Sequence, residues 1–210
     1  GTGLYNKRAI HEYALEKTQE KKSFYLAMMD VDDFKKVNDS FGHMFGDEVL
    51  SKVSEIMRGV IDSRGMVGRF GGDEFMLVLD GVSNEEELRR IFKTVSKNVQ
   101  WEYQDIKDTM AITTSCGVAK FPDDASNFED LFKKADKALY VAKEKGKNRY
   151  IIYDEVKHGV VEDAAISERS IGIKAVASDD KKAEVMSDLV LMLNTEGTAV
   201  FDEVMEKLRS

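Results

Sequence analysis

Two strand-sized apolar runs, residues 66–70 and 75–79, stand either side of Gly71-Gly72-Asp73-Glu74, and no other feature restricts the fold as much. A Gly-Gly link between such runs predicts a hairpin whose glycines take φ > 0. An antiparallel pair in mid-chain needs neighbours, and the flanking sequence supplies them. Residues 24–29 form a further apolar run that ends in Asp30-Val31-Asp32-Asp33, while residues 111–119 and 149–153 read as two more strands. Helical stripes lie between them. Residues 7–20 carry Ile10, Ala14 and Leu15, and residues 33–38 fit a short helix. From Asp47, the set Val49, Leu50, Val53, Ile56, Met57, Val60 and Ile61 keeps a 3.6-residue period. Ser83-Asn84 followed by Glu85-Glu86-Glu87 predicts a capped helix start with acids in its first turn. Phe128, Leu131, Phe132, Ala135, Ala138, Leu139 and Ala142 form another stripe, closed by Gly146. Pro122 is the only proline, so Gly, Asn and Asp must bound the elements, with Gly42 and Gly46 marking a loop. The order is a helix followed by β-α-α-β-β-α-β-α-β. It predicts one α/β (α+β) domain, a sheet flanked by helices with a ferredoxin-like β-α-β-β-α-β core.

That domain is expected to fill residues 1–154. Residues 155–181 mix charge with isolated Val and Ile. Val185, Met186, Leu189, Val190 and Leu193, then Val200, Phe201, Val204, Met205 and Leu208, predict a C-terminal helical hairpin whose apolar face needs a partner. Residues 155–210 thus read as a linker and helical extension, the start of a following sensory domain. The chain begins with Gly rather than Met, as an excised piece of a longer protein would. Its 31 basic and 39 acidic residues leave a charge of −8, which argues against broad nucleic-acid binding through phosphate neutralisation. A single cysteine excludes an intrachain disulfide framework and fits a reducing compartment. Apolar runs of about five residues fall far short of the roughly 20 that cross a bilayer, so no membrane contact is expected within this fragment.

The carboxylates are the first candidates for chemistry. If the strands pair, Asp30, Asp73 and Glu74 converge at one edge of the sheet. Acids brought together repel, and a cation resolves the repulsion. Oxygen ligands without a His/Cys cluster favour Mg²⁺ that shares substrate phosphates. The same residues also read as solvated turn acids, and Gly71-Gly72 needs no ligand to explain it. Lys143-Glu144-Lys145-Gly146-Lys147-Asn148-Arg149 is a basic cluster at a helix end, where lysines either complement the helix dipole or hold phosphate. Asn38 and Asp47 are ordinary helix-end residues singly, yet an amide with a carboxylate can read guanine's N1–H and exocyclic amine. His43 reads as a loop hydrogen-bonder, Cys116 as a small core residue, and Trp101 with most of the ten methionines as packing.

Six motifs in order resemble the GGDEF family of diguanylate cyclases over about residues 2–153. Thr2-Gly3-Leu4-Tyr5-Asn6-Lys7-Arg8 resembles the family's opening turn, and Asp30-Val31-Asp32-Asp33-Phe34-Lys35-Lys36-Val37-Asn38-Asp39 its metal and substrate stretch. Phe41-Gly42-His43 with Gly46-Asp47 follows, then the signature Gly71-Gly72-Asp73-Glu74-Phe75. Thr113-Thr114-Ser115-Cys116-Gly117-Val118-Ala119 and the Ala135-Asp136 to Arg149 stretch complete the set. The resemblance implies a polymerase-palm-like domain that binds one GTP. Two such domains face each other as a homodimer and join two GTP into cyclic di-GMP with release of two pyrophosphates. By residue, Asp30, the Val31 carbonyl and Asp73, helped by Glu74, would hold Mg²⁺, or Mn²⁺ in its place. Asn38 and Asp47 would read guanine, with His43 close by. Gly71 and Gly72 would let the turn approach the nucleotide, and Lys143 and Lys147 would contact the β- and γ-phosphates. Phe34 and Lys35 would contact the triphosphate, with Lys35 offsetting transition-state charge and Asp73 or Glu74 accepting the 3′-hydroxyl proton.

Three departures from the family pattern stand out. The product-inhibition Arg-x-x-Asp is absent, since its window reads Asp62-Ser63-Arg64-Gly65. Lys147 stands where Arg is frequent, keeping charge but losing a planar fork. Gly1 stands where Leu is common. The resemblance also implies a cytoplasmic bacterial protein with a fused sensory domain. Two other readings are a non-catalytic GTP- or nucleotide-sensing module, and a domain that serves residues 155–210 as the main interaction element.

Overall fold

The computed structural model describes residues 3–106 and 109–158. In chain order its elements are α1 (Lys7–Gln19), β1 (Phe24–Val31), α2 (Phe34–Phe41), α3 (His43–Ile61), β2 (Met66–Arg69) and β3 (Glu74–Leu79). They continue as α4 (Glu85–Glu102), β4 (Thr114–Phe121), α5 (Phe128–Glu144), β5 (Tyr150–Ile152) and α6 (Glu155–His158), with 3-10 turns at Asp62–Arg64 and Gln104–Ile106. The expected C-terminal hairpin lies outside the described residues.

The strands form one sheet in the order β2-β3-β1-β4-β5. β1 is antiparallel to β3 and β4, β2 is antiparallel to β3, and β5 is parallel to β4. The first four strands make the expected ferredoxin-like core, and β5 extends it. β1 is buried at every residue, as befits a central strand whose sequence does not alternate. Its Tyr25, Ala27, Met29 and Val31 join a core with Val49, Val53 and Met57 of α3 and Leu88, Ile91 and Val95 of α4. The opposite face carries α1 and α5 at close range. A Cβ on Gly68 would overlap Ile10 of α1, and one on Gly117 would overlap the α5 backbone at Ala135 and Leu139. That contact fixes α5, and so its C-terminal lysines, against the middle of the sheet.

The helix starts are chemical. Asn6, Asn84 and Asn127 each accept a backbone N–H with the side chain, from Ala9, Glu87 and Asp130, all at 2.9 Å. At α4 the Glu87 carboxylate also receives the Ser83 N–H at 2.9 Å, closing a reciprocal cap.

Several expectations need correction. Gly46 lies inside α3 rather than in a loop, because the helix begins at His43. β4 begins at Thr114, so residues 111–113 precede the strand. Neither Gly71 nor Gly72 takes a left-handed φ, which among the described glycines is found at Gly3, Gly42 and Gly146. The link between β2 and β3 is a wider loop, closed by Phe70 and Gly71 N–H groups donating to the Glu74 carbonyl at 2.8 and 3.2 Å. Trp101 is 68% exposed and packs no core. The acids gather at one end of the central strands, since β1 and β3 are not edge strands.

Candidate active site

The site is built where β1 runs out. Asp30 is its penultimate residue, in register with Glu74 of β3 on one side and Ser115 of β4 on the other. One residue on, the Val31 N–H donates to the Asp73 carbonyl at 3.3 Å, which brings the β2–β3 loop against the strand end. The loop is held by Arg69, whose Nε and Nη2 both donate to the Gly72 carbonyl at 3.0 and 2.7 Å. A Cβ on Gly71 would stand 2.9 Å from Glu74 Oε2, the mobile end of a side chain that can swing aside. Gly72 is exposed, and a Cβ there would meet nothing within 4 Å. The backbones of Asp30, Val31, Asp73 and Glu74 are thus neighbours at one strand end.

The basic residues meet these acids from the other side. Lys143 Nζ, near the end of α5, lies 2.7 Å from the buried Asp30 carboxylate. Beyond the helix, Lys147 and Asn148 both sit in the left-handed region, with φ of 61° and 48°, and turn the chain back towards β5. Lys147 Nζ lies 2.8 Å from Asp33, and Lys36 approaches the same carboxylate at 2.8 Å. Asp33 itself is left-handed at the start of α2. The two lysines, Lys147 foremost, hold the Asp33 carboxyl below the usual carboxylate range, and Asp33 raises the Lys147 ammonium in return.

A second cluster sits between α2 and α3. Gly42 turns the chain with φ of 86°, and its N–H caps α2 at the Asn38 carbonyl, 2.8 Å away. The Asn38 amide then lies directly against Gly46, where any Cβ would overlap Asn38 Oδ1 and crowd the Phe34 ring. Asn38, Phe34 and the α3 turn carrying Asp47 are thus adjacent. Asp47, His43 and Lys35 are exposed and make no ion pair among the described residues. They have not been drawn into the protein's own packing.

The family description "Diguanylate cyclase, GGDEF domain" matches residues 1–149. The chain belongs to the GGDEF family. It is 40% identical over 129 residues to diguanylate cyclase DosC of Escherichia coli K12, covering 58% of this chain and 26% of that protein. It is 33% identical over 144 residues to diguanylate cyclase A of Treponema denticola, covering 66% of this chain and 38% of that protein. The chain thus spans well under half the length of these relatives. Among solved structures, the GGDEF domain of YfiN from Pseudomonas aeruginosa superposes with a TM-score of 0.62 at 26% identity, covering 73% of this chain and 99% of that one. No helix among the described residues is long and apolar enough to cross a membrane.

Sequence reasoning missed part of the GGDEF site. Asp32 is only 3% exposed and accepts three hydrogen bonds, from Thr113 Oγ1 at 2.7 Å, Ser115 Oγ at 2.6 Å and the Asn148 N–H at 3.0 Å. Arg69 and Asp33 were missed too. The available signal was Asp32 itself, an acid placed two residues after Asp30 and so on the same face of a buried strand end. The absent Arg-x-x-Asp is replaced by a 3-10 turn whose Arg64 carbonyl accepts the Gly81 N–H at 3.0 Å.

Proposed function

We propose that this GGDEF domain is a diguanylate cyclase that condenses two GTP into cyclic di-GMP. One observation carries the reading. Acids from β1 and β3 and lysines from the end of α5 meet at one strand end, about as a metal–triphosphate complex needs them, next to an amide–carboxylate pair suited to guanine. Asp30, the Val31 carbonyl and Asp73, with Glu74, would hold Mg²⁺ or Mn²⁺. Among the described residues no three acidic, histidine or cysteine side chains form a ready cage. A cation held there would complete its shell with phosphate oxygens and water. When bound, the cation neutralises phosphate charge and makes a ribose hydroxyl more acidic.

The chain's own residues supply the rest. The Asp47 carboxylate accepts from guanine's N1–H and exocyclic amine and the Asn38 amide accepts from or donates to the same edge, with His43 nearby and Phe34 beside Asn38. Lys143 and Lys147 release Asp30 and Asp33 and take the β- and γ-phosphates. Lys35 offsets charge as pyrophosphate leaves. The 3′-oxygen of one GTP bonds to the α-phosphorus of the other, the bond to pyrophosphate breaks, and the hydroxyl proton passes to Asp73 or Glu74. The step repeats with the nucleotides exchanged. One site holds one GTP, so two domains must face each other and the enzyme acts as a homodimer. We propose residues 155–210 as a linker and the start of a following sensory domain, with this fragment in the cytoplasm. With no Arg-x-x-Asp, strong product inhibition through that motif is not expected.

A second reading, nucleotide binding without turnover, has one observation in its favour: Lys143 occupies the Asp30 carboxylate. Chromatography of products after incubation with GTP and Mg²⁺ at low and high protein concentration separates the two. Cyclic di-GMP rising more steeply than linearly with protein supports the dimeric cyclase. Saturable GTP binding without product supports the sensor.

A further inference from the structure

Asp32 is a buried carboxylate that accepts three hydrogen bonds, and nothing in the reaction above uses it. It is buried where three segments meet, the end of β1, the start of β4 and the turn between α5 and β5. Oδ2 receives the Thr113 hydroxyl and the Asn148 N–H, and Oδ1 receives the Ser115 hydroxyl. The Asp32 N–H also donates to the Thr113 carbonyl at 2.9 Å. A carboxylate is an acceptor only, and here it meets two hydroxyls and an N–H that all donate to it.

The turn needs such an anchor. Lys147 and Asn148 are consecutive non-glycine residues in left-handed backbone, a conformation that persists only where its surroundings enforce it. Two attachments tie the turn to the β1 end. One is the Lys147 side chain on Asp33, and the other is the Asn148 main chain on Asp32. A triphosphate that recruits Lys147 breaks the first and leaves the second. We infer that Asp32 is a positioning residue for phosphate binding. Through Asn148 it keeps Lys147 at the site once Lys147 has left Asp33. This inference rests on the proposed contact of Lys147 with phosphate.

The test compares two probes on the full chain, a GTP analogue with methylene between its α- and β-phosphorus atoms, and GMP, each titrated calorimetrically. Asp32→Asn keeps the shape, and Ser115 can turn to accept the new amide. Expected is an affinity loss of about tenfold for the triphosphate analogue, as for a weakened charge-assisted contact, with GMP affinity and thermal midpoint nearly unchanged. Lys147→Ala should give the same selective loss, and Asp32→Asn added to it should cost nothing more, since both remove one interaction. If Asp32→Asn does not fold, Thr113→Val removes one donor isosterically and should give a smaller loss of the same selectivity. Equal losses for both probes, or full additivity with Lys147→Ala, would overturn the inference and leave Asp32 structural. Lys147→Ala without a triphosphate loss would overturn the phosphate reading itself, and the inference with it.

Discussion

Each end of the sheet carries an acid–lysine cluster, and the two behave differently. Where β3 ends, Asp80 receives Tyr13 Oη at 2.8 Å and Lys17 Nζ at 3.0 Å, both from α1. Lys17 also lies over the Tyr13 ring at 4.9 Å. That cluster fastens a helix to the sheet, and none of its members has another task. Where β1 ends, Asp30 and Asp33 pair with Lys143 and Lys147, which come from α5 and the turn beyond it. Bond lengths are similar at the two ends, so distance does not tell structure from function. Exchangeability does: in the proposed reaction, each lysine can pass to a phosphate while a cation takes the released Asp30.

The largest expected effect breaks the symmetry directly. Asp30→Asn should reduce cyclic di-GMP formation to background in a product-chromatography assay while leaving the protein folded. Asp80→Asn should leave turnover per folded molecule intact. It should lower the thermal midpoint by roughly 2–4 °C, the shift that loss of about 1 kcal/mol gives a domain of this size. Equal activity losses in the two variants would remove the distinction between the clusters.

The same contrast sharpens at the base-reading cluster. Asp47 is exposed and unused in packing, so Asp47→Ala should leave stability alone. It should reduce the preference for GTP over ATP about ten- to a hundredfold, the range of a hydrogen bond to a charged group. Gly46→Ala is subtler. Alanine favours a helix by about 0.5–1 kcal/mol over glycine, yet its Cβ would displace the Asn38 amide. Expected is an unchanged or slightly higher thermal midpoint with weaker GTP binding by calorimetry. A midpoint drop with unchanged binding would show that Asn38 supports the fold and not the base.

How legible the molecule was in its sequence follows the range of the interaction. The asparagine cap at α4 and the stripes of α3 and α5 are local, and they appear where period and capping place them. Gly46 was misplaced because its reason is Asn38, which approaches from another helix. Trp101 looks like core from its chemistry and is exposed because α4 turns that side to solvent. Residues 71–72 read as a tight turn, but the Arg69 guanidinium on the Gly72 carbonyl and the Glu74 carbonyl facing the Phe70 and Gly71 N–H groups shape a wider loop. Asp30 and Asp73 read as partners only on the condition that β1 and β3 pair, a non-local fact that the order of elements suggests and no local motif carries. Asp32 was passed over because its three donors lie 81, 83 and 116 residues away along the chain.

The smallest expected effect is in acid. Burial alone would raise the Asp80 carboxyl, but the Tyr13 and Lys17 hydrogen bonds outweigh it and hold the folded value below normal. A depressed carboxylate contributes stability that is present above its unfolded value, near 3.9, and is lost as pH falls through the folded one. Asp33 is depressed in the same sense, by Lys147 and Lys36. Urea unfolding between about pH 5 and 3 should therefore show a falling free energy whose slope lessens in both Asp80→Asn and Asp33→Asn. Saturating GTP analogue separates the two. Asp80 keeps its partners whatever is bound, whereas Asp33 gives up Lys147 to the phosphates, so its carboxyl should move back towards its ordinary value. The Asp33 share of the acid slope should shrink in the complex and the Asp80 share should not. A carboxyl-resolved NMR titration in which both values stay fixed on binding would place Lys147 permanently on Asp33.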